Sequence, residues 1–138
     1  MSLMQIGKQT PVSLPQICAQ RSELLKAIDE AVKNQYIYVH APAGYGKTVS
    51  TLLWLKKSGC KTIWISLDEY DNTPALFYRL FCMSLLSVIP ADASILQEVR
   101  SPAFSASPVE YTIDLLAQLA YEDCKYALVL DDFHFIMN

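Results

Sequence analysis

Charge is scarce in this chain. Only 18% of its 138 residues are charged, against about 25% in an average soluble domain. Basic residues are scarcer still, 11 lysines and arginines against 14 acids, for a net charge of −3. Proteins that grip phosphate backbones usually carry a basic patch or stripe, so this segment is not expected to contact nucleic acid directly. Cys18, Cys60, Cys82 and Cys124 show no CxxC spacing, and no signal peptide precedes them. They read as reduced thiols of a cytoplasmic protein. No apolar run approaches the ~18–20 residues that span a bilayer, so no membrane partner is expected. Apolar residues, by contrast, are plentiful: 52% are hydrophobic and 11% aromatic. That excludes a disordered tail, and the length fits one domain of about 100–200 residues.

Pro11, Pro15 and a lack of periodicity make residues 1–20 an extended lead-in, with Met1-Ser2-Leu3 resembling a short leader before Met4. Residues 21–138 read as one partial domain. Ser22 is a good N-cap, and Leu24, Leu25, Ile28, Ala31 and Val32 follow as a helical stripe. Tyr36–Val39 is β-branched and aromatic and predicts a strand. A helix is predicted over Lys47–Lys57, then a strand over Lys61–Leu67, whose continuous apolar character suits a buried parallel strand. Asp68–Thr73 is a polar loop, and Pro74 opens a helix to Ile89. A weaker helix (Ala93–Val99), a Ser/Pro-rich loop (Ser101–Pro108), a helix (Val109–Tyr121) and a third strand (Tyr126–Leu130) complete the pattern. Strands alternating with helices predict α/β with a parallel sheet.

The strongest chemical signal is Ala41-Pro42-Ala43-Gly44-Tyr45-Gly46-Lys47-Thr48, between a predicted strand and helix. It fits the phosphate-loop pattern G-x-x-x-x-G-K-[ST], with small Ala41 in place of the first glycine. Gly44 and Gly46 let successive N–H groups turn inward as an anion nest, and the helix adds the positive end of its dipole. Lys47 is expected to reach the β- and γ-phosphates of ATP or ADP, and the Thr48 hydroxyl to complete a Mg²⁺ shell. The second signal is Leu128-Val129-Leu130-Asp131-Asp132, an apolar strand ending in two carboxylates. Asp131 is expected to hold Mg²⁺ through water, and Asp132 to activate the attacking water. Asp68 and Glu69 are rival carboxylates, eligible because ligands bind beyond the carboxyl ends of strands, but they read first as solvated loop charges. His134 reads as a packed or hydrogen-bonded loop histidine, Trp64, Phe77, Tyr78 and Phe81 as core or interdomain packing, and Arg21 as a surface arginine at a helix start.

Three blocks together resemble the ATPase module of large LuxR-family, ATP-dependent transcriptional activators of the maltose-activator type, in the STAND class of P-loop ATPases. They are the Ala41–Thr48 loop, the Trp64-Ile65-Ser66-Leu67-Asp68-Glu69-Tyr70-Asp71-Asn72 segment with Pro74-Ala75-Leu76-Phe77 after it, and Leu128-Val129-Leu130-Asp131-Asp132-Phe133-His134. The blocks span about Arg21 to Ile136. The resemblance implies a three-layer P-loop NTPase fold, a parallel sheet flanked by helices, truncated after the Walker B strand that ends at Asp131. It implies an ATP-driven switch with slow hydrolysis, whose DNA-reading helix-turn-helix lies in a later part of a longer protein. It also implies a later strand between the Tyr36–His40 and Tyr126–Leu130 strands. With three parallel strands and that slot open, either those two strands pair directly or a second copy covers the gap, and self-association is the favoured expectation. The alternatives are a self-contained small P-loop kinase or phosphotransferase, and a scaffold with a vestigial loop. A kinase lid needs arginines, and after the loop only Arg79 and Arg100 occur.

Overall fold

The computed structural model describes residues 8–9, 11, 13–14, 22–34, 36–119 and 124–136. The leader, Cys18, Arg21 and Tyr121 lie outside them. The described residues fall into two compact units, one within Met1–Thr10 and Lys61–Asn138, the other within Pro11–Cys60.

In the Pro11–Cys60 unit, helix α1 (Ser22–Ala31) buries Leu25 and Ile28, two residues of the predicted stripe. It packs on α2 (Lys47–Ser58), which buries Ser50, Leu52 and Leu55. The Trp54 indole N–H donates to the Asp29 carboxylate at 2.6 Å and ties the pair together. Gly59 ends α2 in the left-handed conformation, φ 69°, where a side chain would be strained. Lys56 and Lys57 sit in its last turn, where cations favour the helix dipole.

The larger unit holds a two-stranded parallel sheet, β1 (Lys61–Ser66) paired with β2 (Tyr126–Asp131), with Ile63 opposite Leu128 and Ser66 opposite Asp131. Between them run α3 (Pro74–Val88), α4 (Ala93–Arg100), α5 (Pro102–Ala106) and α6 (Pro108–Leu119). Helix α3 lies against β1 and touches α4, α5 and α6. Ile63, Cys82, Leu85, Ile89, Val99, Phe104 and Leu115 form the main core cluster. Burial pushes the Cys82 thiol up despite its 3.2 Å contact with the Thr112 hydroxyl, which pulls the other way. No cysteine pair among the described residues forms a disulfide, and no described helix is long and apolar enough to cross a membrane.

Three expectations need correction. Tyr36–His40 belongs to no strand, and Tyr36 and Tyr38 are 87% and 69% exposed. A strand exists only through its ladder hydrogen bonds, and no partner for this segment occurs among the described residues. Among the described residues the sheet is therefore two-stranded rather than three-stranded, and its ladder does not include Tyr36–His40. The Tyr126 strand pairs with β1 instead, and it is half-buried, with Leu128 45% exposed. Lastly, Ser101–Pro108 is not a loop. Ser101 accepts from the Phe104 N–H at 3.4 Å, Pro102 starts α5, and Phe104 drops into the core. Ser-Pro there is a cap followed by a first helical residue, not a breaker.

Candidate functional site

The Ala41–Thr48 loop lies wholly in the Pro11–Cys60 unit. Gly44 and Gly46 adopt φ 82° and 76°, and nothing lies within 4 Å of where a Cβ would stand. Glycine is thus required by backbone conformation, not by space. Gly46 is the N-cap of α2 and offers no side-chain oxygen, and no acid occupies the first turn. The first N–H groups of a helix lack intrahelical partners, so this end favours an anion. Lys47 curls back over the loop, its ammonium donating to the Ala41 carbonyl at 2.7 Å and the Pro42 carbonyl at 3.2 Å. Pro42, Ala43, Gly44 and Tyr45 are exposed, while Ala41, Gly46, Lys47 and Thr48 are half-buried.

The carboxylates lie in the other unit. Asp131 ends β2, and its carbonyl accepts the Leu67 N–H at 3.0 Å. Asp132 follows in the left-handed region, φ 57°, and is exposed. Aspartate is among the few non-glycine residues that visit that region. Its carbonyl accepts from the Phe135 N–H at 3.1 Å, closing the turn Phe133–Ile136. His134 is in this turn, exposed rather than packed, with its ring tilted 33° to that of Phe135 at 4.2 Å. Trp64 is 1% exposed, and Phe77, Tyr78 and Phe81 pack on the two clusters, as expected of core residues.

Glu69 is exposed, and Asp68, with its side chain 38% exposed, is a partly solvated loop charge that is also capped and ion-paired. The turn Glu69–Asp71 is a reciprocal capping box between Asp68 and Asp71. Lys8 bonds both carboxylates, at 2.7 Å to Asp68 and 2.8 Å to Asp71. Asp71 is 7% exposed, so its charge is satisfied inside the protein. Asp71 lies in the Trp64–Asn72 block but carries no site role from sequence, and Lys8 belongs to no motif. The recognisable signal is Asp68-x-x-Asp71 before Thr73-Pro74, a cap-type spacing.

This clamp shifts Lys8 and Asp68 apart. Burial works against the Lys8 ammonium, but hydrogen bonds and charges from Asp68 and Asp71 outweigh it and raise its pKa. Burial likewise works against the Asp68 carboxylate, but Lys8 and the Tyr70 N–H hold it below the ordinary value. The Asp68 contribution is whole above the ordinary carboxylate range and is lost as pH falls through its lowered value. The Lys8 contribution is whole below the ordinary lysine range and is lost as pH rises through its raised value. Thermal unfolding of Lys8→Met across pH should therefore lose part of both the acid and the alkaline dependence of the wild type. Superimposable profiles would show that the clamp does not contribute.

No group of three metal-ligating side chains occurs among the described residues. No family model matches the chain, and no solved structure does. Among curated proteins it is 28% identical over 118 residues to the HTH-type transcriptional regulator MalT of Yersinia enterocolitica, covering 86% of this chain and 13% of that protein. The Vibrio campbellii MalT gives 26% over 118 residues, again 86% and 13%. The serine/threonine-protein kinase PknK of Mycobacterium tuberculosis gives 26% over 117 residues, 83% of this chain and 10% of that protein. The chain is thus similar to transcription regulators over most of its own length, and spans about a tenth of the relatives it matches.

Proposed function

We propose that this chain is the nucleotide-binding part of an ATP-dependent switch in a transcription regulator. The observation that carries this reading is the Ala41–Thr48 loop: two left-handed glycines, an uncapped twelve-residue helix and a lysine ammonium held over the loop carbonyls. Together these make an anion site suited to the phosphates of ATP or ADP. The Thr48 hydroxyl and the Asp131 carboxylate are hard oxygen donors of the kind Mg²⁺ takes, usually with several waters retained. Bound Mg²⁺ supplies charge neutralisation at the β- and γ-phosphates. Asp132 is assigned to orient or deprotonate the attacking water. Similarity to MalT supports the regulatory role, with DNA read by another part of the longer protein and copies associating when switched on.

Turnover should be slow. An arginine finger supplies roughly 10³–10⁵ in rate, and Arg79 is committed elsewhere. It donates to the Ser101 carbonyl and the Ser105 hydroxyl at 3.2 and 2.8 Å and covers the Phe104 ring. The test is calorimetric titration with Mg-ATP and Mg-ADP, followed by phosphate-release assays on wild type and Asp132→Asn. Saturable binding, slow release and still slower release by Asp132→Asn with unchanged affinity are expected. Absence of binding refutes the reading, and transfer to a small-molecule acceptor would favour a kinase instead. Self-association is checked by light scattering with and without ATP.

A further inference from the structure

The N-terminal segment reads in sequence as a mere lead-in, yet Lys8 is built into the larger unit. Its ammonium meets a two-carboxylate socket that the chain has already organised. The Asp68 N–H donates to Asp71 Oδ2 at 3.0 Å, the Tyr70 N–H to Asp68 Oδ1 at 2.9 Å, and the Asp71 N–H to the Asp68 carbonyl at 3.1 Å. These bonds aim Asp68 Oδ2 and Asp71 Oδ2 at one point, and Lys8 occupies it at 2.7 and 2.8 Å. The side chains of Lys8 and Asp71 are only 20% and 10% exposed, so the pair is shielded well beyond an ordinary surface bridge.

The socket is also mechanically close to the end of β2. Leu67 is covalently joined to Asp68, and its N–H donates to the Asp131 carbonyl at 3.0 Å. Leu67 shares a cluster with Ile65 and Leu80, against which Phe133 and Ile136 pack. The turn Glu69–Asp71 touches the turn Phe133–Ile136. A contiguous path therefore runs from the Lys8 ammonium through Asp68 and Leu67 to the backbone of Asp131 and the turn that begins at Asp132.

We propose that Lys8 is a positioning residue: through Asp68 and Asp71 it fixes the backbone at Asp131 and Asp132, so that the Lys8 ion pair tunes the site at the end of β2. The Mg²⁺ part of this inference rests on the role assigned above to Asp131; the backbone part does not.

The experiment uses the 138-residue chain with Lys8→Met, Lys8→Arg and Asp71→Asn, the last keeping the shape of the turn while removing its charge. Two readouts are taken, backbone amide resonances and ADP affinity with and without Mg²⁺. Lys8→Met and Asp71→Asn should both move the amide resonances of Leu67 and Asp132 while leaving those of α1 and α2 in place. Both should reduce the gain in ADP affinity that Mg²⁺ provides by roughly two- to thirtyfold, the range of coupling carried by such networks, with Mg²⁺-free affinity unchanged. Lys8→Arg, which restores the charge, should recover most of the gain. Unmoved Leu67 and Asp132 amides overturn the proposal, as does an equal loss of affinity with and without Mg²⁺. If wild type binds no ADP, the nucleotide reading falls, and the amide shifts alone still decide the positioning role.

Discussion

Lys47→Ala should weaken Mg-ATP binding about 10–150-fold. A hydrogen bond to a charged group contributes roughly 1.5–3 kcal/mol, and Lys47 is the one cation that the Ala41–Thr48 loop itself carries. The loop should survive the change, because its shape depends on Gly44 and Gly46 rather than on the ammonium. Two carbonyl contacts are lost, from Lys47 to Ala41 and Pro42; Pro42 is exposed and Ala41 half-buried. Lys47→Arg should also bind more weakly, since a planar fork does not replace a compact ammonium. Calorimetry giving equal affinity for wild type and Lys47→Ala would remove the loop from the phosphate site.

The second large effect is on stability. Phe104→Ala should cost about 3–5 kcal/mol, the usual range for a fully buried aromatic. Phe104 is 0% exposed and sits in the cluster of Ile63, Cys82, Leu85 and Leu115, with Tyr111 5.6 Å away between ring centres. It also carries the Arg79 guanidinium on its face, 5.5 Å from the ring centre. Removing the ring leaves a cavity and strips the cation of its aromatic partner. Urea unfolding should show a lower midpoint with an unchanged slope. By contrast, Ser101→Ala removes the α5 cap and the hydroxyl's 2.7 Å bond to the Glu98 carbonyl, and should cost about 0.5–2 kcal/mol. A Phe104→Ala loss no greater than that of Ser101→Ala would show that the α5 corner is not part of the cooperative core.

Much of this architecture is written in local pattern. The helices from Ser22, Lys47, Pro74 and Ala93 begin where N-caps, the glycine loop and Pro74 place them, because those signals act within a few residues. β1 and β2 are likewise legible, as short β-rich runs after Gly59 and before Asp131. Tyr36–His40 has the same local character, yet it forms no strand. Pairing is a tertiary event, and propensity alone supplies no partner. The α5 helix was hidden because five residues are too few for periodicity to register, and Ser101-Pro102 reads equally as a turn. At the site, the loop could be read because its chemistry is contiguous in sequence. The Lys8 clamp could not. Asp71 has a local signal in Asp68-x-x-Asp71, but Lys8 is 63 positions away and nothing in the sequence joins the two.

The pairing of β1 with β2 has a consequence for how the chain assembles in time. Lys61 and Tyr126 stand opposite each other although 65 positions separate them. Closing a loop of that length costs roughly 4 kcal/mol in chain entropy, before its constant part. The contacts of α3 with α4, α5 and α6 join segments much nearer in sequence, so they can form first and shorten the effective loop. Sheet pairing is then the slow step, as topologies dominated by distant contacts fold slowly. Asp131 and Asp132 are therefore expected among the last residues to be set in place. A newly made chain should acquire its helices before it acquires the carboxylate end on which the proposed switch depends.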